Sequence, residues 1–217
     1  MPMPLWVMFP PLDFDAGTLV MDVLPDLLAA YGMVPYHATP LVQDGEEIDY
    51  LDAEGVTTDD LAQMLAVGQG RPGVDLYFHV RSVRRYFRFQ VLDQQLPATL
   101  CVEIPREILA EDSALFGTSG WVVNFVSKLA NKLECDCALS TRDGETSGLL
   151  AALDVREVFA RLKSGRIFSS VTPVILALRE DLVSAEELSA LVAPHEEAGF
   201  RLERDGGYHV IWSLKGA

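Results

Sequence analysis

The sequence predicts an α+β protein, with one or more mainly antiparallel sheets and helices packed on one face. Three observations in the 217 residues point that way. Hydrophobic residues make up 49% of the chain, enough to bury a substantial core. From residue 74 onward, apolar side chains recur every second position in runs that pair as hairpins. Stretches of helical period separate groups of these runs, without the strict strand–helix alternation of a parallel sheet.

The elements follow in order. Leu5–Phe9 is a short apolar run that suits a strand, ended by Pro10-Pro11. Asp15 or Thr18 can cap a helix running to about Tyr31, with Leu19, Val23, Leu27 and Leu28 as its apolar stripe and Gly32 as its stop. Pro25 falls inside that pattern and predicts a kink or a split, because it removes a backbone donor. Residues 35–55 read as irregular and acidic. Thr57, Thr58, Asp59 and Asp60 then open a helix through about Val67, the threonine accepting from free N–H groups and the acids facing the positive dipole end. Gly68, Gly70, Pro72 and Gly73 make the clearest break in the chain.

Beyond the break, Val74–Arg81 and Arg84–Leu92 read as paired strands, and Ala98–Ile104 as a third, closed by Pro105. Ser119–Leu133 is the strongest helix, with Trp121, Val122, Phe125, Val126, Leu129 and Leu133 on one face. Thr118 or Ser119 is its expected cap. Cys135–Thr141 returns as a strand, Asp154–Lys163 as a helix ended by Gly165, and Val171–Leu178 as a strand of buried type. Ser184 opens a helix that reaches Glu197 and stops at Gly199. Phe200–Arg204 and Tyr208–Leu214 close the chain as a hairpin around Asp205-Gly206-Gly207. The expected organisation is an acidic segment, 1–70, packed on an α+β body, 74–217, within one compact domain.

Charge is the most unusual bulk property. The chain has 32 acids against 17 bases, a net −15. Residues 1–70 hold twelve of the acids and no Lys or Arg. Such a field attracts cationic partners and disfavours nucleic acid and anionic membrane. No run reaches the roughly 20 apolar residues that span a bilayer. The N-terminus lacks the basic region of a secretory signal, and three cysteines (Cys101, Cys135, Cys137) are a poor disulfide framework. A cytoplasmic location and no cofactor are therefore expected.

Two segments stand out as candidate sites. The first runs from Asp44 to Asp60 and offers Asp44, Glu46, Glu47, Asp49, Asp52, Glu54, Asp59 and Asp60 around Tyr50. It suits recognition of a basic protein with Tyr50 as an aromatic anchor, although a solvated acidic loop explains the same residues. Its spacing lacks the alternating ligands of a calcium loop. The second is the hairpin of residues 74–92, where alternation puts Tyr77, His79, Arg81, Arg84, Tyr86 and Arg88 on one face. That face could hold an anion through its arginines, or its arginines could pair with the acidic segment.

Weaker signals point to ordinary structure. Gly117–Gly120 lacks the rest of a phosphate loop, and His195-Glu196-Glu197 lacks the second histidine of a zinc protease helix. Glu103 and His209 could form an acid/base pair only if the fold brought them together. The Cys135–Cys137 spacing is not that of a redox pair. No motif names a reaction, so the signals lean away from an enzyme. In composition alone the chain is similar to small acidic immunity or inhibitor proteins. The leading expectation is a non-enzymatic binding protein that engages, and neutralises, a basic protein. The alternatives are an enzyme or small-ligand protein binding an anion at the hairpin, and a scaffold or homo-dimer paired through its terminal hairpin.

Overall fold

The computed structural model describes residues 4–41, 51–52, 57–80, 85–92, 98–110, 120–141, 154–170 and 173–214. Strand β1 (Leu5–Met8) is followed by α1 (Ala16–Thr18), a π-helical turn (Leu19–Val23) and α2 (Leu24–Ala30). Next come β2 (Met33–Pro40), β3 (Leu51–Asp52), α3 (Thr58–Val67), β4 (Gly73–Val80), β5 (Arg85–Leu92) and β6 (Thr99–Ile104). The second half holds α4 (Trp121–Lys132), β7 (Cys137–Thr141), α5 (Val155–Lys163), β8 (Val174–Arg179) and α6 (Ala185–Val192). It closes with β9 (Arg201–Asp205) and β10 (Tyr208–Ser213). The chain is α+β and its strands pair antiparallel, as the period-two runs predict. Among the described residues no helix is long and apolar enough to cross a membrane.

The chain forms two compact units. One is Pro11–Glu103; the other combines Met1–Pro10 with Ile104–Ala217. In the first, strands run in the order β3-β2-β4-β5-β6. Its core is the apolar parity of the hairpin: Leu76, Phe78 and Val80 on β4 with Phe87, Phe89 and Val91 on β5, all fully buried. Phe78 meets Phe89 edge to face at 5.0 Å, and burying each ring is worth about 2–3 kcal/mol. Helix α3 packs against β2 and β4.

Local chemistry sets the ends of these elements. The Asp15 carboxylate accepts from the Thr18 N–H at 2.8 Å and starts α1. Pro25, at the start of α2, has no N–H to give the Met21 carbonyl, and its ring would crowd that carbonyl in a regular helix. The chain answers with the π turn just upstream, where the Leu24 N–H bonds the Leu19 carbonyl five residues back. The kink expected at Pro25 is thus a widened turn. Thr57 and Asp60 form a reciprocal capping box at the head of α3.

In the other unit the order is β1-β7-β8-β10-β9. Along β10 every residue is buried, and along β8 all but the last, so these strands are covered on both faces. Helix α4 packs on them: the Tyr208 hydroxyl on β10 lies 2.6 Å from the Cys135 carbonyl and 3.0 Å from that of Ala130. The cap of α4 is Gly120, which makes no side-chain capping bond, so the helix begins two residues after the expected start at Ser119; Thr118 and Ser119 themselves lie outside the described residues. Gly206 and Gly207, at φ +58° and +87°, make the two-residue turn that joins β9 to β10.

One expectation is corrected. Residues 35–55 read as irregular, yet Met33–Pro40 is a full strand and Leu51–Asp52 a short edge strand beside it. The alternation is hidden because β2 carries a bulge: Pro35 pairs with Phe78 and His37 with Tyr77, leaving Tyr36 with no partner across β4.

Candidate functional site on the polar sheet face

The face of the Pro11–Glu103 sheet opposite its phenylalanine core carries the sequence-predicted hairpin residues. Cross-strand register sets Tyr77 beside Arg88 and His79 beside Tyr86. Extended to both sides, the same register makes a row across five strands: Asp52, His37, Tyr77, Arg88 and Glu103. Both ends of the row are carboxylates. Arg81 and Arg84, the other two members of the expected anion site, lie outside the described residues.

Arg88 is clamped. Its Nη2 donates to Asp75 Oδ2 at 2.6 Å and its Nη1 to Glu103 Oε2 at 3.2 Å. Gln90 Nε2 holds the other Asp75 oxygen at 3.1 Å. Asp75 is 6% exposed, so its charge depends on these donors. Burial works against the guanidinium charge, but the bond and charge of Asp75 outweigh it and lift the Arg88 pKa above its ordinary value. Neither partner comes from residues 1–70; both belong to the sheet that carries Arg88. Burial also raises the Tyr77 phenol above its usual range.

His37 is fixed at both ring nitrogens. Nδ1 lies 2.8 Å from Asp52 Oδ1, and Nε2 lies 2.8 Å from Thr39 Oγ1. A carboxylate accepts only, so in the neutral ring Nδ1 carries the proton and Nε2 accepts from the threonine. Hydrolases line up nucleophile, base and acid in this order. Here, though, the Asp52 side chain is 70% exposed, and Thr39 sits directly across from Asp75. The chemistry favours a clasp that holds β3 onto β2.

The exposed feature of this face is aromatic. Tyr36 and Tyr86 are 47% and 46% exposed. Their ring centroids are 4.6 Å apart, and His79 continues the run 5.0 Å from Tyr86. Tyr36 reaches this position because it is the bulge residue of β2. Sequence reasoning placed Tyr77, His79, Tyr86 and Arg88 here, and missed Tyr36, His37, Thr39, Asp75 and Glu103's part in the clamp. Asp75 shares parity with Tyr77, which was a usable signal; Tyr36 offered none.

Of the acidic segment, Asp44, Glu46, Glu47, Asp49, Tyr50 and Glu54 lie outside the described residues. Asp59 is exposed on the first turn of α3. Asp60 is committed to its cap, accepting from the Thr57 N–H at 2.9 Å and hydroxyl at 2.6 Å, and these bonds lower its pKa.

Elsewhere the weaker candidates resolve as structure. The His195 ring stacks on Phe168 at 4.1 Å, with Phe200 edge-on to Phe168. Glu103 serves Arg88 in one unit, while His209 is a buried residue of β10 in the other. All three cysteines are buried thiols, and burial pushes Cys101 and Cys137 up to about 12. Among the described residues no three His, Cys, Asp or Glu side chains converge as metal ligands. No protein family, curated protein or solved structure matches the chain.

Proposed function

We propose that the chain is an acidic binding protein that engages a basic protein partner through its Pro11–Glu103 unit, in the manner of an immunity or inhibitor protein. The observation that carries this reading is the charge of that unit. It has fifteen Asp and Glu against five Arg and no Lys, a net −10 out of the chain's −15. A unit with that imbalance draws cations to its surface and speeds their arrival. The clamping of Arg88 by two carboxylates supports the same reading over an anion site, because the one described arginine of the polar face is already neutralised.

The test is a binding-rate measurement on a partner captured from lysate of the source cells. Reversing Glu46, Glu47, Asp49 and Asp52 to Lys should slow association at least about tenfold at low salt and flatten its salt dependence. Unchanged rates in the four-fold variant would remove the reading.

A further inference from the structure

We propose that the Tyr36–Tyr86 pair, continued by His79, is a shelf that seats an arginine side chain of the partner; this rests on the reading that the partner is basic. Three observations converge on it. First, Tyr36, Tyr86 and Leu182 are the exposed large apolar side chains among the described residues, and the two tyrosines touch each other. Scattered exposed aromatics are ordinary; two in contact, on strands separated by a third, are a patch. Second, the contact is built by an irregularity. β2 and β5 are not neighbours, since β4 lies between them. Tyr36 stands at the bulge, and bulges re-aim side chains. The bulge sets both Tyr36 and His37 against Tyr77, so β2 presents two polar-face side chains where a regular strand presents one.

Third, the surroundings select the sign of the occupant. The row on the same face ends in Asp52 and Glu103, and Asp75 and Glu103 already engage Arg88. A planar guanidinium stacks on a tyrosine face and gives its N–H groups to nearby acceptors at the same time. An ammonium is more strongly hydrated and stacks less well, so the shelf distinguishes arginine from lysine. Tyrosines also lose little side-chain freedom on binding, which suits an anchor.

The experiment uses the full chain and three probes: an arginine-rich decapeptide, a lysine-rich decapeptide of equal charge, and adenosine monophosphate. Calorimetry gives affinities, and aromatic-proton NMR reports on the tyrosine rings. Both peptides should bind and weaken with salt, and the arginine peptide should bind about fivefold more tightly. The Y36A/Y86A double variant should bring the two peptides to parity, and Y36F/Y86F, which keeps the rings, should retain the preference. Both tyrosines are half exposed, so these variants leave the core intact. Equal affinity of the two peptides for the native protein, or a preference that survives Y36A/Y86A, overturns the shelf and leaves the basic-partner reading standing. Binding of neither peptide overturns both. Ring shifts on adenosine monophosphate but not on the arginine peptide assign the tyrosines to an anionic aromatic ligand instead. A dimer of the native chain that Y36A/Y86A dissolves assigns them to self-association. Either result overturns the inference.

Discussion

Replacing Asp75 by Ala should expose how much the polar face depends on one buried carboxylate. The substitution deletes the 2.6 Å bond from Arg88 and the 3.1 Å bond from Gln90. A hydrogen bond to a charged group is worth about 1.5–3 kcal/mol and a neutral donor left unmatched costs about 1 kcal/mol. Arg88 keeps Glu103 at 3.2 Å, which limits the loss, so D75A should destabilise by about 3 kcal/mol. Arg88→Met leaves Asp75 with Gln90 as the remaining partner of this trio and should cost about as much. The double variant removes both charges together. It should therefore cost less than the two single losses combined, by about 2 kcal/mol. Urea unfolding followed by far-ultraviolet circular dichroism, on the native chain and the three variants, measures all four corners of the cycle. Losses that add to within about 0.5 kcal/mol would refute the argument. They would mean that the guanidinium and the carboxylate are solvated separately, and that the row across the sheet is not a coupled unit.

The remaining predictions concern the buried thiols and the tyrosine of β10. Cys101 and Cys137 rise from an ordinary value of 9.0 to about 12 through burial. The folded state then holds protons that the unfolded chain releases, so stability is full below about pH 9 and falls as pH rises toward 12. The slope is about 1.4 kcal/mol per pH unit for each thiol. Urea midpoints between pH 8.5 and 11 should show the fall, and a C101A/C137A variant should flatten it; parallel slopes would contradict the burial argument. For the same reason a disulfide reagent should leave these cysteines unreacted in the native protein at pH 8 and label them promptly in urea. Tyr208→Phe removes a hydroxyl whose one proton serves the Cys135 carbonyl at 2.6 Å. It should cost about 1–2 kcal/mol in urea unfolding; a neutral effect would mean that the carbonyl is satisfied without it.

The parts of the fold legible in the sequence are those where side-chain period and backbone chemistry agree. Phe78, Val80, Phe87, Phe89 and Val91 alternate without interruption, and they locate both the β4–β5 hairpin and its two faces. Gly199 at φ +95° stops the α6 region where the sequence places the stop. Thr57 and Asp60 announce α3 for the same local reason: a helix head needs acceptors. Legibility fails where a local signal has a non-local cause. Pro25 signals a broken helix, but only the structure shows that widening by a π turn is the chain's answer. The strand β2 is masked by its prolines, Pro35 and Pro40, and by the extra residue at Tyr36. At the polar face, the sequence ordered residues within the hairpin but could not reach across to Asp52, His37 or Glu103. Those contacts depend on which strands become neighbours, and parity within one strand is silent about that.

The bulge at Tyr36 has an evolutionary reading. Upstream of it the inward residues of β2 are Met33 and Pro35; downstream they are Ala38 and Pro40, so the numbering parity changes sides. Excising the codon for Tyr36 would restore one unbroken alternation, with Met33, Pro35, Ala38 and Pro40 still facing inward and His37 still facing out. The sheet would close over the missing residue, and only the aromatic shelf would vanish. Lineages can therefore gain or lose this contact by a three-base insertion or deletion, without renegotiating the core beneath it.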